Sequence, residues 1–226
     1  MRVCSADLVA PSVSATPPPL NALLSLAREH VVLILGDADF AFAESLRPLT
    51  SASIIACTQR SRQDVDPLRL MALEAPSSVL SPLTLLFGVD STRLDRVKAH
   101  IPWKSVHTVL CNHPTVEGGA SEEDHRHQRR MLGALFTSLA VPLLLLAPGA
   151  QLLLTLHSSE ASNWALEAVA RDSFLFCTAS WAFDEKVFPG YAPATQTSTT
   201  FCLEASSEGL SDAQLKELED AYYAPR

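Results

Sequence analysis

Five apolar runs, each closed by a turn and most followed by a helical stretch, limit what this chain can fold into. The first is Val31-Val32-Leu33-Ile34-Leu35, closed by Gly36. A strand that is apolar at every position offers no face to water, so it is buried on both sides, as in a parallel sheet. The runs 52–57, 83–87 (before Gly88), 106–111 and 151–156 repeat the pattern. Residues 40–46, 64–73, 92–99, 125–146 and 162–171 carry helical spacing between or after them. Such alternation builds a doubly wound α/β sheet. The last two runs, 174–183 and 197–203, leave no room for a helix between them and imply an antiparallel hairpin at one edge. The expected fold is Rossmann-like: a mostly parallel sheet closed by a C-terminal antiparallel hairpin.

The flanks are different. Residues 1–20, with Pro17-Pro18-Pro19, read as a flexible Pro/Ser-rich segment that forbids helix. Residues 21–30 read as a short leading helix, the sheet domain extends over 21–205, and 206–226 ends in an acidic helix. In that helix Ser211 and Gln214 form a capping box. The 226-residue chain has 25 acids against 17 Lys and Arg, a formal charge of −8. That balance argues against non-specific nucleic-acid binding as the main task, although a local basic face stays compatible with it. The five cysteines form no CxxC, so neither a structural zinc nor a disulfide framework is expected, and a reducing compartment fits. No apolar run reaches membrane-span length; 132–146 is interrupted by Thr137, Ser138 and Pro142. The N-terminal stretch is only weakly compatible with a transit peptide.

In open α/β sheets ligands bind beyond the carboxyl ends of the strands. Chemistry is therefore expected after Leu35, Cys57, Phe87 and Cys111, and the motifs lie there. Gly36-Asp37-Ala38-Asp39-Phe40-Ala41-Phe42 resembles the G-E-G-[DN]-F-S-F loop of the 25S rRNA (uridine-N3) methyltransferase-like family, a class I S-adenosylmethionine (SAM) methyltransferase domain. Gly88-Val89-Asp90-Ser91-Thr92 resembles its G-V-D-A-T, and Asn112-His113-Pro114 its F-N-F-P-H. Arg129, Leu132 and Phe136 are similar to its N-R-x-L-L-x-x-F-F helix, Thr155-Leu156 with Trp164 to its V-T-L…W segment, and Phe188-Pro189-Gly190-Tyr191 to its Y-P-G-Y. The six pieces fall in the family's order across 31–203.

The resemblance implies SAM as cofactor, bound by Gly36, Asp37, Ala38, Asp39, Phe40, Thr58 and Asp90. The methionine carboxylate would lie against helix N–H groups after the first loop, an acid such as Asp37 would meet the ammonium, and Asp90 the adenine amino group. Asn112 and Pro114 would be catalytic, holding a ring nitrogen in line with the methyl, and Phe188 or Tyr191 would stack on the target base. Each piece also has a plainer reading: a tight turn with Asp39 as N-cap, an N-cap by Asp90, a turn held by Asn112, an aromatic lid on the core. Implied partners are rRNA or ribosomal particles, with neither membrane nor DNA; separately, the acidic C-terminal helix with Tyr222-Tyr223 reads as a solvated cap first and as a docking face for a protein second. The implied setting is intracellular, the nucleus or nucleolus first, with cytoplasm or mitochondrion as alternatives.

The departures from the family's pattern are chemical. Ala38 replaces its second glycine, Arg60 stands where an acid would hold the ribose hydroxyls, and Asp64 comes several residues late. Thr115 replaces its histidine, and Ala192-Pro193-Ala194-Thr195 replaces a basic cluster. A degenerate, non-enzymatic ribosome-assembly factor and a small-molecule methyltransferase are thus the competing readings. His125 and His127 lack a third ligand and read as a solvated segment rather than a metal site. His157 reads as a polar strand end.

Overall fold

The computed structural model describes residues 26–77, 79–114, 121–191, 197–208 and 210–223. Seven strands form one sheet: β1 (Val31–Leu35), β2 (Ser53–Cys57), β3 (Leu83–Leu86), β4 (Val106–Asn112), β5 (Gln151–His157), β6 (Leu175–Ala182) and β7 (Ser198–Ala205). Their order is β3-β2-β1-β4-β5-β7-β6, with β7 antiparallel to both β5 and β6 and the remaining pairs parallel. The helices are α1 (Ala41–Leu46), α2 (Pro67–Glu74), α3 (Glu122–Val141), α4 (Glu160–Asn163), α5 (Leu166–Arg171) and α6 (Asp212–Tyr223).

The wholly apolar strands are buried on both faces. Val31, Leu33 and Leu35 face α3 and α5, packing with Leu132, Phe136, Leu139 and Leu166. Val32 and Ile34 face α1 and α2, packing with Phe42, Leu46, Leu70 and Leu73. The helix continuing from α3 to Leu146 has the length and hydropathy of a membrane span, yet its apolar stripe is spent on this core.

Several helical expectations are corrected. Of the leading helix, 21–25 lie outside the described residues. Residues 26–30 form a turn instead, because the His30 carbonyl already accepts from Ser53 N at 3.0 Å and so extends the sheet. The expected helix 92–99 is two 3₁₀ turns, Ser91–Arg96 and Lys98–His100, since Arg93 sits at φ −137°, ψ 46°. Residues 162–171 break into α4 and α5 where Ala165 turns left-handed. The long helix begins earlier than read, at a Ser121/Asp124 capping box. It passes into a π turn at Pro142, which has no N–H to continue the α pattern. α6 carries the anticipated Ser211/Gln214 box, and Lys98 Nζ donates to the Tyr222 carbonyl at 2.6 Å.

Phe136 is fully buried between sheet and helices. Phe136→Ala should lower unfolding free energy by about 3–5 kcal/mol in urea melts. Leu68→Ala, at a side chain 75% exposed, should stay within about 0.5 kcal/mol of wild type.

Candidate active site

Parallel register puts four strand ends level. Leu35 lies opposite Cys57 on one side and Cys111 on the other, and Cys57 lies opposite Leu86. The loops that follow therefore leave one edge together. Gly36 adopts φ +74°, a left-handed turn with open space where a Cβ would stand. Asp37 N then donates to the Cys57 carbonyl at 3.1 Å, so the chain stays zipped to β2 for one more residue.

Asp37 is buried and its carboxylate caps α1, accepting from Phe42 N at 3.3 Å and Ala43 N at 2.8 Å. Asp39 accepts from Ala41 N at 3.2 Å and pairs with Arg69 at 2.8 Å. Both aspartates thus share the capping that the sequence suggested for Asp39 alone. These N–H groups are taken, so the expected resting place of a methionine carboxylate on α1 is not available; what the loop offers is negative charge. Burial lifts the Asp37 pKa to about 6, outweighing the two N–H donors and the nearby Arg69 cation, while the Asp39 carboxylate adds to the rise. Phe40 is a further correction. It is left-handed at φ 62°, fully buried, and packs edge-on against Phe87 at 5.3 Å, so its ring is core.

Thr58 fastens the first two loops. Its hydroxyl donates to the Ala38 carbonyl at 3.2 Å and accepts from Arg60 N at 3.2 Å, while its N–H reaches the Leu86 carbonyl at 2.9 Å. The side chain is buried, so its role is to clamp the walls of the cleft. Arg60 and Gln59 line the cleft beside it. Asp64 does not replace the missing acid, because it lies outside the lining of the cleft, turned to Ser61, whose N and Oγ donate to its Oδ2 at 3.2 Å and 2.7 Å. Asp90 caps the next turn through Oδ1, which accepts from Thr92 N at 2.9 Å and Thr92 Oγ1 at 2.6 Å. Its Oδ2 has no bond among the described residues.

At the end of β4, Asn112 Nδ2 is buried with no hydrogen-bond partner of normal geometry. It lies near enough to the Tyr191 hydroxyl to oppose the rise that burial, and secondarily the Asp37 and Asp39 charges, impose on that phenol, whose pKa is pushed up to about 12. His113, next in the chain, is left-handed at φ 50° and stacks on His157 with ring centroids 4.5 Å apart. Phe188 is only 3% exposed, stacks on Phe183 at 5.5 Å and packs at a tilt against Phe42 at 4.8 Å. Of the two aromatics expected to meet a base, Tyr191 borders the open recess and Phe188 belongs to the packing beneath it.

These loops enclose a cleft of about 670 Å³ running from Gly36 past Thr58 and Asp90 to His113 and Pro114. A recess of about 230 Å³ adjoins it, bounded by Gly36, Asp37, Phe42, Asn112, His113 and Tyr191. Gly36, Ala38 and His113 line both. The cleft lies within the ~300–1,000 Å³ range of small-molecule sites. Asp37 and Asp39 in the adjoining recess, the second oxygen of Asp90 in the cleft and the open Gly36 turn where the two meet fit an adenosyl amino acid. The ribose stretch between them has Arg60 in place of a carboxylate. His113 was the residue the motif reading passed over, although it sits between Asn112 and Pro114; His157 was taken for a polar strand end. His125 lies 4.0 Å from Glu122 on the first turn of α3, and no group of three or more metal-ligating residues occurs among the described residues. Residues 192–195 lie outside the described residues.

The strand order, with its antiparallel β5-β7-β6 end, is that of the class I SAM-dependent methyltransferase fold. Geranyl diphosphate methyltransferase, solved in complex with GPP and sinefungin, superposes at a TM-score of 0.50 with 8% identity, over 83% of this chain and 75% of that one. The 16S rRNA methyltransferase KamB superposes at 0.47 with 16% identity, over 78% and 88%. Residues 33–195 match the family model BMT5-like, rRNA (uridine-N3-)-methyltransferase BTM5-like, and the chain belongs to that family. Heavy metal-associated isoprenylated plant protein 41 of Arabidopsis thaliana is 29% identical over 168 residues, 72% of this chain. The match covers 32% of that relative, so the chain spans about a third of its length.

The Asp37 cap is testable by pH. Its folded pKa lies above the unfolded value of 3.8, so its contribution to stability is complete below that value and is lost as pH rises through about 6. Relative to Asp37→Asn, wild type should lose about 3 kcal/mol between pH 3.5 and 7.5 in urea melts. Parallel curves for the two proteins would contradict the burial argument.

Proposed function

We propose that this chain is a SAM-dependent rRNA methyltransferase of the uridine-N3 type. The reading rests on one observation above the others: level strand ends open into a cleft with Asp90 at one end, joined to a recess that holds Asp37, Asp39 and the buried Asn112 Nδ2, which has no hydrogen bond of normal geometry. Bound SAM supplies an electrophilic methyl group. Gly36 lets the backbone come close to the ligand. The acid pair Asp37 and Asp39 would hold its ammonium, and Asp37 is ionised at neutral pH because its pKa, though raised, stays below 7. Asp90 Oδ2 would accept from the adenine amino group while Oδ1 keeps its cap. Asn112 would donate to a carbonyl of a planar base, ending the isolation of its amide, and Tyr191 would close over the base. Methyl transfer needs in-line positioning and a route for the displaced proton, which such a recess provides.

Arg60 favours a second reading, a methyltransferase-like binding factor in ribosome assembly with little cofactor affinity. Arg has no acceptor for ribose hydroxyls, and Asp64 is occupied elsewhere. In both readings the partners are rRNA or ribosomal particles, encountered where ribosomes are assembled, the nucleolus first, and the exposed acids of α6 would face a protein neighbour.

Isothermal calorimetry with SAM separates the two. Wild type should bind at roughly tens of micromolar, reflecting the loss of about two charged hydrogen bonds, and Arg60→Asp should tighten binding about ten-fold or more. Gly36→Val should abolish it, since a β-branched residue resists positive φ. No binding by wild type or Arg60→Asp, with co-purification on ribosomal particles, would overturn the enzyme reading.

A further inference from the structure

His113 is the most conspicuous side chain without a settled role. Both its ring nitrogens are buried with no hydrogen-bond partner, and its backbone is held left-handed by an N–H bond to the Thr155 carbonyl at 2.8 Å. A buried donor or acceptor left unpaired destabilises the fold, and a left-handed non-glycine residue adds to the cost. Such expense concentrates at functional sites. Packing alone does not ask for an imidazole here; the family pattern that Asn112-His113-Pro114 resembles has phenylalanine at this position and its histidine where Thr115 stands. His113 is the residue at the junction of the cofactor cleft and the base recess, lining both, so a small turn of its side chain brings a ring nitrogen to the recess. Asn112 Nδ2, one residue away on the same recess, is also buried without a hydrogen bond of normal geometry, its near neighbour being the Tyr191 hydroxyl.

We propose that His113 is a catalytic residue that accepts the ring-nitrogen proton of the target base as the methyl arrives, while Asn112 donates to a flanking carbonyl. The inference rests on the methyltransferase reading above. The two unpartnered groups together complement an imide edge, an N–H beside a carbonyl oxygen, which is the edge a uridine presents. In the step, the methyl–sulfur bond breaks with its electron pair left on sulfur, and the nitrogen–methyl bond forms from the base's nitrogen pair. The N–H electron pair returns to the ring as its proton moves to a His113 nitrogen. Positive charge passes from sulfonium to imidazolium, so net charge is conserved.

The surroundings suit a neutral acceptor. Burial, and then the neighbouring His157, lower the His113 pKa to about 4, so the ring is uncharged at neutral pH and gives its proton to water after the step. An acceptor this weak suffices because a methylated imide nitrogen that still carries its hydrogen is a strong acid. His157 is itself fixed by Ser198 Oγ, 3.3 Å from its Nδ1. The other titratable groups of this region are Asp37 and Asp39 from the loop after β1, Cys111 from β4, whose thiol is pushed up to about 12 by burial, and Tyr191. Burial raises the Asp37 pKa to about 6.

The test is single-turnover transfer of a labelled methyl group from saturating SAM to an unmodified in vitro transcript of large-subunit rRNA. Calorimetry with S-adenosylhomocysteine runs alongside. His113→Phe keeps the ring shape, and His113→Asn suits the left-handed backbone, so at least one variant keeps the fold. Each should slow transfer roughly 10²-fold while S-adenosylhomocysteine affinity stays within about two-fold of wild type. The residual rate should climb about ten-fold per pH unit from 7 to 9, as the spontaneously ionised base takes over, whereas the wild-type rate stays flat. An undiminished rate, or a loss matched by the same loss of S-adenosylhomocysteine affinity, overturns the role of His113 alone. No transfer by wild type overturns the methyltransferase reading and this inference with it.

Discussion

The in-register pairing of β1 with β2 and β4 is the constraint from which the site follows. Because Leu35 sits opposite both Cys57 and Cys111, three loops leave the sheet at one height. Thr58 then ties the first loop to the second, and Gly88 N and Val89 N tie the third to the second through the carbonyls of Arg60 and Thr58. The register is in turn enforced by burial on both faces. A one-residue slip of β1 would exchange Val32 and Ile34 with Val31, Leu33 and Leu35 between two cores of different shape. Hydrophobic burial thus fixes where the polar loops stand, and Phe40 and Val89 anchor two of them in the core.

The same edge concentrates cost. Asp37 is ionised against its burial, His113 and Phe40 are left-handed, and Asn112 and His113 hold unpaired polar atoms. These features lie within a few residues of the strand ends; the opposite edge carries unpaired polar atoms too, at His30 and Trp103, but among the described residues no left-handed residue or buried acid beside them. A chain under selection for stability alone would relieve them with Asn at 37 or an apolar residue at 113. Their coincidence around one cleft and one recess is what a binding and transfer site would require.

The strands were legible in the sequence because a run that is apolar at every position has few other uses, and the closing hairpin because 174–183 and 197–203 leave no helix between them. The site was legible as loops and as motifs, less so as roles. Phe40 and Phe188 read as ligand contacts because an aromatic in a motif looks the same whether it faces a cleft or a core; burial decided otherwise. The Asp37 cap was assigned to Asp39 because spacing alone cannot tell which of two aspartates bends back over the first turn of α1. The helix expected over 92–99 failed on the backbone of Arg93, which no propensity rule singles out. His113 was missed because its meaning lies in what it does not touch, and the absence of partners is visible only in three dimensions.

The central claim is that the cofactor lies across the carboxyl ends of β1, β2 and β3. A crystal structure of the protein grown with S-adenosylhomocysteine tests it most directly. The account predicts density in the Gly36-to-Asp90 cleft, its amino-acid end against Asp37 and Asp39 and its adenine beside Asp90. Ligand density in the separate cavity of about 330 Å³ between Thr92, Ser138 and Tyr222, with the Gly36 cleft filled only by water, would contradict it.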